Sequence, residues 1–296
     1  MDYYIGNHIL EFTTTLFELP STTDEWLRIA EEFENKWLFP HALGVIAGRH
    51  IGVRCPKDND VAYVNYALFS SIILMAVVDA NSNFLYVEVG RKGNTSNEDP
   101  FQHSKLCHML DNNKLNVPES AVLQVPYTLK VPYMLLADEG FSFNSHRLRP
   151  FPQTPHGEEC ALEHGFNIRH ALARMPADNA MGIMIRRFCV LRGTMELYPA
   201  DAAKVVAACA YLHNFLLTRE SRATYAPPEA FDRVIDETIV AGKWREDEQI
   251  KSVLSLQDIP ENVPDTMKQL RLHMAYHFQH NDSQAVPGLR PSWCQV

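Results

Sequence analysis

Asp138 and Glu139 end a short apolar run, Tyr133-Met134-Leu135-Leu136-Ala137, and Gly140 follows at once. A carboxylate at a strand end is one part of a known chemistry. Joined by an acid on a central strand and another on a helix, it holds divalent ions that activate water and steady a leaving oxygen. Hard Mg2+ takes oxygen ligands, so carboxylates are the residue type such a site needs. The run that reads as the central strand is Leu43–Val53, apolar, interrupted by Gly44, Gly48 and Gly52 and bounded by Pro40 and Pro56. Glycine within a strand marks a bulge or a close approach of backbone or ligand. This strand holds no carboxylate, and Ala47 stands at its middle. A third segment, the arginine-studded run from Phe166 to Arg192, is expected to converge on the same place.

Other constellations have two readings each. His156, Cys160 and His164 are spaced four apart and fit one helix face as zinc ligands. A structural zinc wants a fourth ligand and none is evident, while Glu158, Glu159 and Glu163 make the segment equally a polar surface. His103, Cys107 and His108 form a weaker grouping of the same kind. Arg169, Arg174, Arg186, Arg187 and Arg192 are the only dense basic stretch, read either as a DNA contact or as a solvated helix paired with surplus acids. His213-Asn214 sits in an apolar run and reads as a satisfied buried polar pair.

The elements that would position these residues follow from periodicity and punctuation. Tyr66 to Val78 reads as a buried strand, with Phe84 to Val89 as its hairpin partner across Asp79-Ala80-Asn81-Ser82-Asn83. With Leu43–Val53 and Tyr133–Ala137 these make a mixed sheet with helices on it. Residues 1 to 20 read as a weakly amphipathic helix stopped at Pro20. Ser21-Thr22-Thr23-Asp24-Glu25 is a helix start, hydroxyl caps before acids, and that helix runs through Trp26, Ile29, Ala30 and Phe33 to about Lys36. Asp99–Asn112 is expected to be helical and Ser142–Gly165 a loop. Further helices are expected over Pro176–Leu191, Ala200–Thr218, Glu229–Val240 and Asp265–His277.

Composition narrows the function classes. A chain of 296 residues with 46% hydrophobic and 21% charged residues is ordinary for a globular protein. Its apolar runs are short or interrupted by Lys204 and His213, so none spans a membrane. The start, Met1-Asp2-Tyr3-Tyr4, lacks the basic and apolar regions of a signal peptide. The six cysteines are scattered, which fits a reducing intracellular compartment rather than a disulfide scaffold. Acids outnumber bases 36 to 27 for a net charge of −9, which opposes strong electrostatic binding to nucleic acid.

The order of motifs resembles the nuclease domain of PIF/Harbinger transposases and the nuclease-like proteins derived from them. Trp37-Leu38-Phe39-Pro40-His41-Ala42-Leu43-Gly44-Val45-Ile46-Ala47-Gly48-Arg49-His50-Ile51 is similar to that family's F-P-x-x-x-G-x-I-D-G-x-H-I. Asn65-Tyr66, Phe69-Ser70, Val78-Asp79-Ala80, Phe84-Leu85, Gly90 and Gly93 follow. Then come Asp138-Glu139-Gly140-Phe141, Leu148-Arg149-Pro150-Phe151, Phe166-Asn167-Ile168-Arg169, Ala173-Arg174, Leu212-His213-Asn214-Phe215 and Gly242-Lys243-Trp244-Arg245. The resemblance covers roughly residues 20 to 280.

It implies an RNase H-like fold of the α/β (α+β) class, a mixed sheet flanked by helices with additional C-terminal helices. The implied layout is a helical lead-in over 1–38, a DDE nuclease-type domain over 39–220 and a C-terminal helical extension over 221–296. The resemblance also implies a triad of acids working with Mg2+ or Mn2+. Its three positions fall on Ala47, Asp138 and Asp178, and an accessory acid position falls on Asn97. A methyl group cannot ligate a metal, and Asp178 is one methylene shorter than the family's glutamate. Pro176 favours a helix start, which would make Asp178 a first-turn acid complementing the dipole; the alternative is a ligand. Asp138 reads as a ligand or as a strand-end acid held by backbone amides or arginine, and Asp99 or Asp79 as a substitute acid. The expectation is therefore a chain without a working metal site, with Arg169, Arg174, Arg186 and Arg187 as the family's nucleic-acid contacts. The resemblance implies a nuclear location, a Myb/SANT- or MADF-type DNA-binding partner and other chromatin proteins, since no helix-turn-helix region precedes the nuclease-like part here.

Overall fold

The computed structural model describes residues 19–55, 61–94, 99–102, 104–123, 129–152, 160–235, 238–248 and 254–280. Asn97, His103, His156 and most of the expected helix over residues 1 to 20 lie outside them. Helix α1 (Thr23–Trp37) opens with a capping box, Thr22 accepting from the Glu25 amide while the Glu25 carboxylate reaches back to the Thr22 amide. Its apolar residues Trp26, Ala30 and Phe33 are buried.

Strands β1 (Ala42–Gly52), β2 (Ser71–Val78) and β3 (Phe84–Lys92) form an antiparallel meander. All eight residues of β2 are buried, as expected of a strand covered on both faces. Helix α2 (Lys105–Asp111) is a short piece of the expected Asp99–Asn112 helix. A small ribbon, β4 (Ala121–Val122) with β5 (Lys130–Val131), precedes β6 (Met134–Leu136) and β7 (Arg147–Leu148). Strand β6 runs parallel to β1, completing a mixed five-stranded sheet in the order β3-β2-β1-β6-β7. The β1–β6 register shifts between Ala42 and Gly44, and Gly44 sits at φ 147° there, a conformation that favours glycine.

Helix α3 (Ala161–Arg187) is longer than expected and absorbs part of the predicted Ser142–Gly165 loop. Pro176 lies inside it rather than at its start. A proline costs the bond to the carbonyl four residues back, but tertiary packing overrides that cost here, with fourteen buried residues spread along the helix. Helix α4 (Pro199–Leu217) begins on its proline, and a short α5 (Arg222–Tyr225) follows. The expected Glu229–Val240 helix is instead a 3-10 turn over Pro228–Ala230 and a hairpin, β8 (Arg233–Ile235) with β9 (Thr238–Val240). Its β-branched run Val234, Ile235, Thr238, Ile239, Val240 explains the correction. Helix α6 (Asp265–His280) ends the described chain.

Side chains alternate between two cores. Val45, Ala47 and Ile51 face one built with Ala173, Ala177 and Met181 of α3, α4 residues and Met274 and Phe278 of α6. Leu43 and Ile46 face another, with Trp26, Phe101, Leu106 and Phe141. Among the described residues no helix is long and apolar enough to cross a membrane.

Candidate functional site

The β1–β6 register pairs Val45 with Leu136. Continued by two residues, it sets Ala47 level with Asp138 on the face that α3 covers. Strand, strand end and helix thus meet as the motif order predicts, and Asp178, in mid-helix on α3, completes the convergence. Its mid-helix place removes the first-turn dipole role.

Each acid at this junction faces an arginine. The Asp138 Oδ2 accepts from Nη2 of Arg174 at 2.7 Å, and its Oδ1 accepts from the Gly140 amide at 3.1 Å. The Asp178 Oδ1 accepts from Nη2 of Arg49 at 3.0 Å, and its Oδ2 lies 4.0 Å from Nη2 of Arg245. Arg245 in turn grips Asp232, Nε at 2.9 Å and Nη2 at 2.6 Å, and the Asp232 side chain has no exposure at all. Burial works against the charge on Arg174, but the carboxylates of Asp138, Asp178 and Glu139 outweigh it and raise its pKa, so the guanidinium is held charged.

The scaffold of this cluster is specific. Asn179, beside Asp178, accepts from the Asp232 amide at 2.7 Å and from the Trp244 indole at 3.0 Å, tying the 243–246 turn to α3. Trp244 lies over Gly182, one turn along α3 from Asp178. Arg49 is two residues after Ala47 and so shares its strand face. A crossing segment over 254–259 closes the far side. The His50 amide donates to the Leu254 carbonyl at 2.8 Å, Ser255 bridges to Arg49, and Leu256 packs where a Cβ at Gly48 would sit, 2.3 Å from its Cδ1.

The other candidate residues have structural partners. Asp99 is buried and bound by Arg147, the Ser142 hydroxyl and the Phe101 amide. Asp79 braces its hairpin turn through the amides of Asn81 and Asn83, and burial raises its pKa. Arg169 donates to the Leu38 carbonyl and lies over the Phe278 ring. Arg187 donates to the carbonyls of Tyr225 and Thr224. Arg186 is half-buried at the end of α3. Cys160 occupies the N-cap position of α3 without a side-chain capping bond and is exposed, and no group of three metal-ligating side chains occurs among the described residues.

Sequence reasoning overlooked Arg49, Arg245 and Asp232. The period of two on β1 pointed to Arg49, and Arg245 closes a quoted motif. Asp232 carries no sequence signal, because it is delivered by the lead into β8, inside the expected Glu229–Val240 helix.

A central antiparallel meander joined in parallel by an acid-ended strand, with a long helix crossing its acid positions, defines the class of RNase H-like nuclease domains. The family model of the DDE superfamily endonucleases matches residues 46–214, and the chain belongs to that family, in its Harbinger transposase-derived branch. It is 26% identical over 211 residues to HARBI1 of Xenopus laevis, a candidate nuclease by name, covering 68% of this chain and 55% of that protein. It is 21% identical to human HARBI1 over 71% of this chain and 55% of that protein. To an Arabidopsis thaliana protein named ALP1-like it is 26% identical over 69% of this chain and 49% of that protein. The chain spans about half the length of the curated relatives it matches. No solved structure matches.

Endonucleases of this superfamily use Mg2+ or Mn2+. The donor set here does not fit such an ion. One acid position is a methyl group, and the three carboxylates Asp138, Asp178 and Asp232 are matched by the three guanidiniums Arg174, Arg49 and Arg245. A cation there would compete with guanidiniums already bound to Asp138 and Asp178.

Proposed function

We propose that this is a transposase-derived, nuclease-like protein that does not cut DNA and serves as a protein-interaction module in a nuclear, DNA- or chromatin-associated complex. The observation that carries the reading is Ala47 beside Asp138, with Arg174 on that carboxylate at 2.7 Å. Losing one ligand of a two-metal site removes several kcal/mol of transition-state stabilisation, orders of magnitude in rate. The net charge of −9, together with the internal bonding of Arg169, Arg174 and Arg187, supports DNA contact through a Myb/SANT- or MADF-type partner.

The test is a supercoiled-plasmid nicking assay with Mg2+ or Mn2+, paired with DNA binding by the chain alone across a salt series. The expected result is no metal-dependent nicking and no steeply salt-dependent binding. Nicking that Asp138→Ala and Asp178→Ala both abolish would overturn the reading in favour of an endonuclease with a degenerate acid site. Tight binding of bare DNA with a steep salt slope would overturn the partner-dependent part.

A further inference from the structure

Ala47 is the visible lesion, but the charges around it carry the argument further. Arg174 comes from α3, one turn before Asp178, and meets Asp138 at the end of β6 at 2.7 Å. Arg49 comes from β1 and meets Asp178 at 3.0 Å, its other nitrogen donating to the Gly48 carbonyl at 2.9 Å. Arg245 comes from the 243–246 turn and sits between Asp178 and Asp232. The pairs are half-buried: the Arg174 and Asp138 side chains are 18% and 19% exposed, Arg49 16%. We propose that these guanidiniums, rather than divalent cations, are the counter-charge and cross-link that hold β1, β6, α3 and the 243–246 turn together in this chain, so that restoring the acid at position 47 does not by itself restore a metal site.

The inference rests on the metal-free reading above and goes further, since it locates the obstacle in three arginines as well as in the missing acid. The charge count explains why. With Ala47 the acids Asp138, Asp178 and Asp232 are each paired with one of Arg174, Arg49 and Arg245, and Glu139 adds a further negative charge that acts on Arg174. Ala47→Asp adds one negative charge beside Arg174, whose guanidinium is already aimed into the junction and would bind both carboxylates. A divalent ion arriving there meets a fixed positive charge at contact range, and its field at half-buried sites is only weakly screened. Removing that charge, as in Arg174→Gln, frees the Asp138 oxygen that it binds and makes the junction one charge more negative.

The experiment is calorimetric Mn2+ titration of the unmodified chain, Ala47→Asp, Arg174→Gln and the double variant Ala47→Asp/Arg174→Gln, with thermal unfolding of each with and without Mn2+. The unmodified chain and Ala47→Asp are expected to show no binding. The double variant is expected to bind at least about a hundredfold more tightly than Ala47→Asp. Arg174→Gln is expected to unfold at a lower temperature than the unmodified chain and to recover part of the loss on adding Mn2+, because the ion replaces the lost cross-link. Should loss of Arg174 prevent folding, Ala47→Asp/Arg49→Gln makes the same test from the β1 side. Equal Mn2+ binding by Ala47→Asp and the double variant overturns the inference and leaves the non-cleaving reading standing. A folded double variant that fails to bind overturns it too. Mn2+ binding by the unmodified chain overturns both.

Discussion

Gly182 occupies the point of α3 where the Trp244 ring lies so close that an added Cβ would fall 2.2 Å from two of its atoms. Two effects oppose each other in Gly182→Ala. Alanine in a helix interior gains about 1 kcal/mol over glycine, whereas overpacking a tight contact costs about 1–3 kcal/mol. The indole is fixed by its bond to Asn179 at 3.0 Å, so it cannot swing away cheaply, and the overpacking term wins. The substitution is expected to destabilise by up to about 2 kcal/mol, read as a lower urea midpoint at unchanged slope. A midpoint at or above that of the unmodified chain would show that Trp244 moves aside. Single residues were unevenly legible from sequence. Ala47 and Asp138 stood out within ordered motifs, and Arg49 was implied by the two-residue period of a strand. The meeting of Asp178 with Arg245 was not, because it depends on a turn far along the chain being brought back onto α3 by Asn179 and Trp244.

Helix α4 is stitched to the β2–β3 hairpin by two adjacent side chains. The His213 Nε2–H donates to the Ser82 carbonyl at 3.0 Å while its Nδ1 accepts from the Tyr225 hydroxyl at 2.8 Å, which fixes the tautomer. Asn214 accepts from the Phe84 amide and donates to the Phe84 carbonyl, both at 2.8 Å, and so pairs with the edge strand as a neighbouring strand would. Asn214→Ala is expected to cost about 1–3 kcal/mol by removing both of these hydrogen bonds. Hydrogen exchange at the Phe84 amide should accelerate more than at β2 amides, and unchanged protection there would refute the role. A satisfied polar pair at 213–214 was readable from its apolar helix. Element boundaries were less so. Pro176 reads as a helix start by its own chemistry, yet buried contacts on either side of it carry α3 through. Glu229–Val240 reads as helix by length, yet its β-branched residues pair as β8 and β9.

Over the whole molecule, the acidic net charge was legible as a sum, but where the bases are spent was not. Arg49, Arg147, Arg174, Arg245 and Arg271 all serve internal ion pairs, which leaves less of the positive charge for a partner's phosphates than the count of 27 implies. The buried histidines add a global pH dependence. Burial lowers the pKa of His50 and His213 to about 4 and that of His170 to about 3. In the unfolded chain each titrates near 6.5. Between about pH 6.5 and 4 the unfolded state therefore binds more protons than the folded one, so stability must fall as the pH falls through that window. Each histidine contributes a slope of up to about 1.4 kcal/mol per pH unit there. Urea unfolding at a series of pH values between 7 and about 4 is expected to show this loss. His50, whose Nε2 has no hydrogen-bond partner, provides the cleanest dissection. His50→Gln should make the slope shallower by about one histidine's share, because glutamine takes up no proton in the unfolded chain. An identical slope in the variant would mean that His50 is reached by solvent and protonates in place, contrary to its 2% exposure.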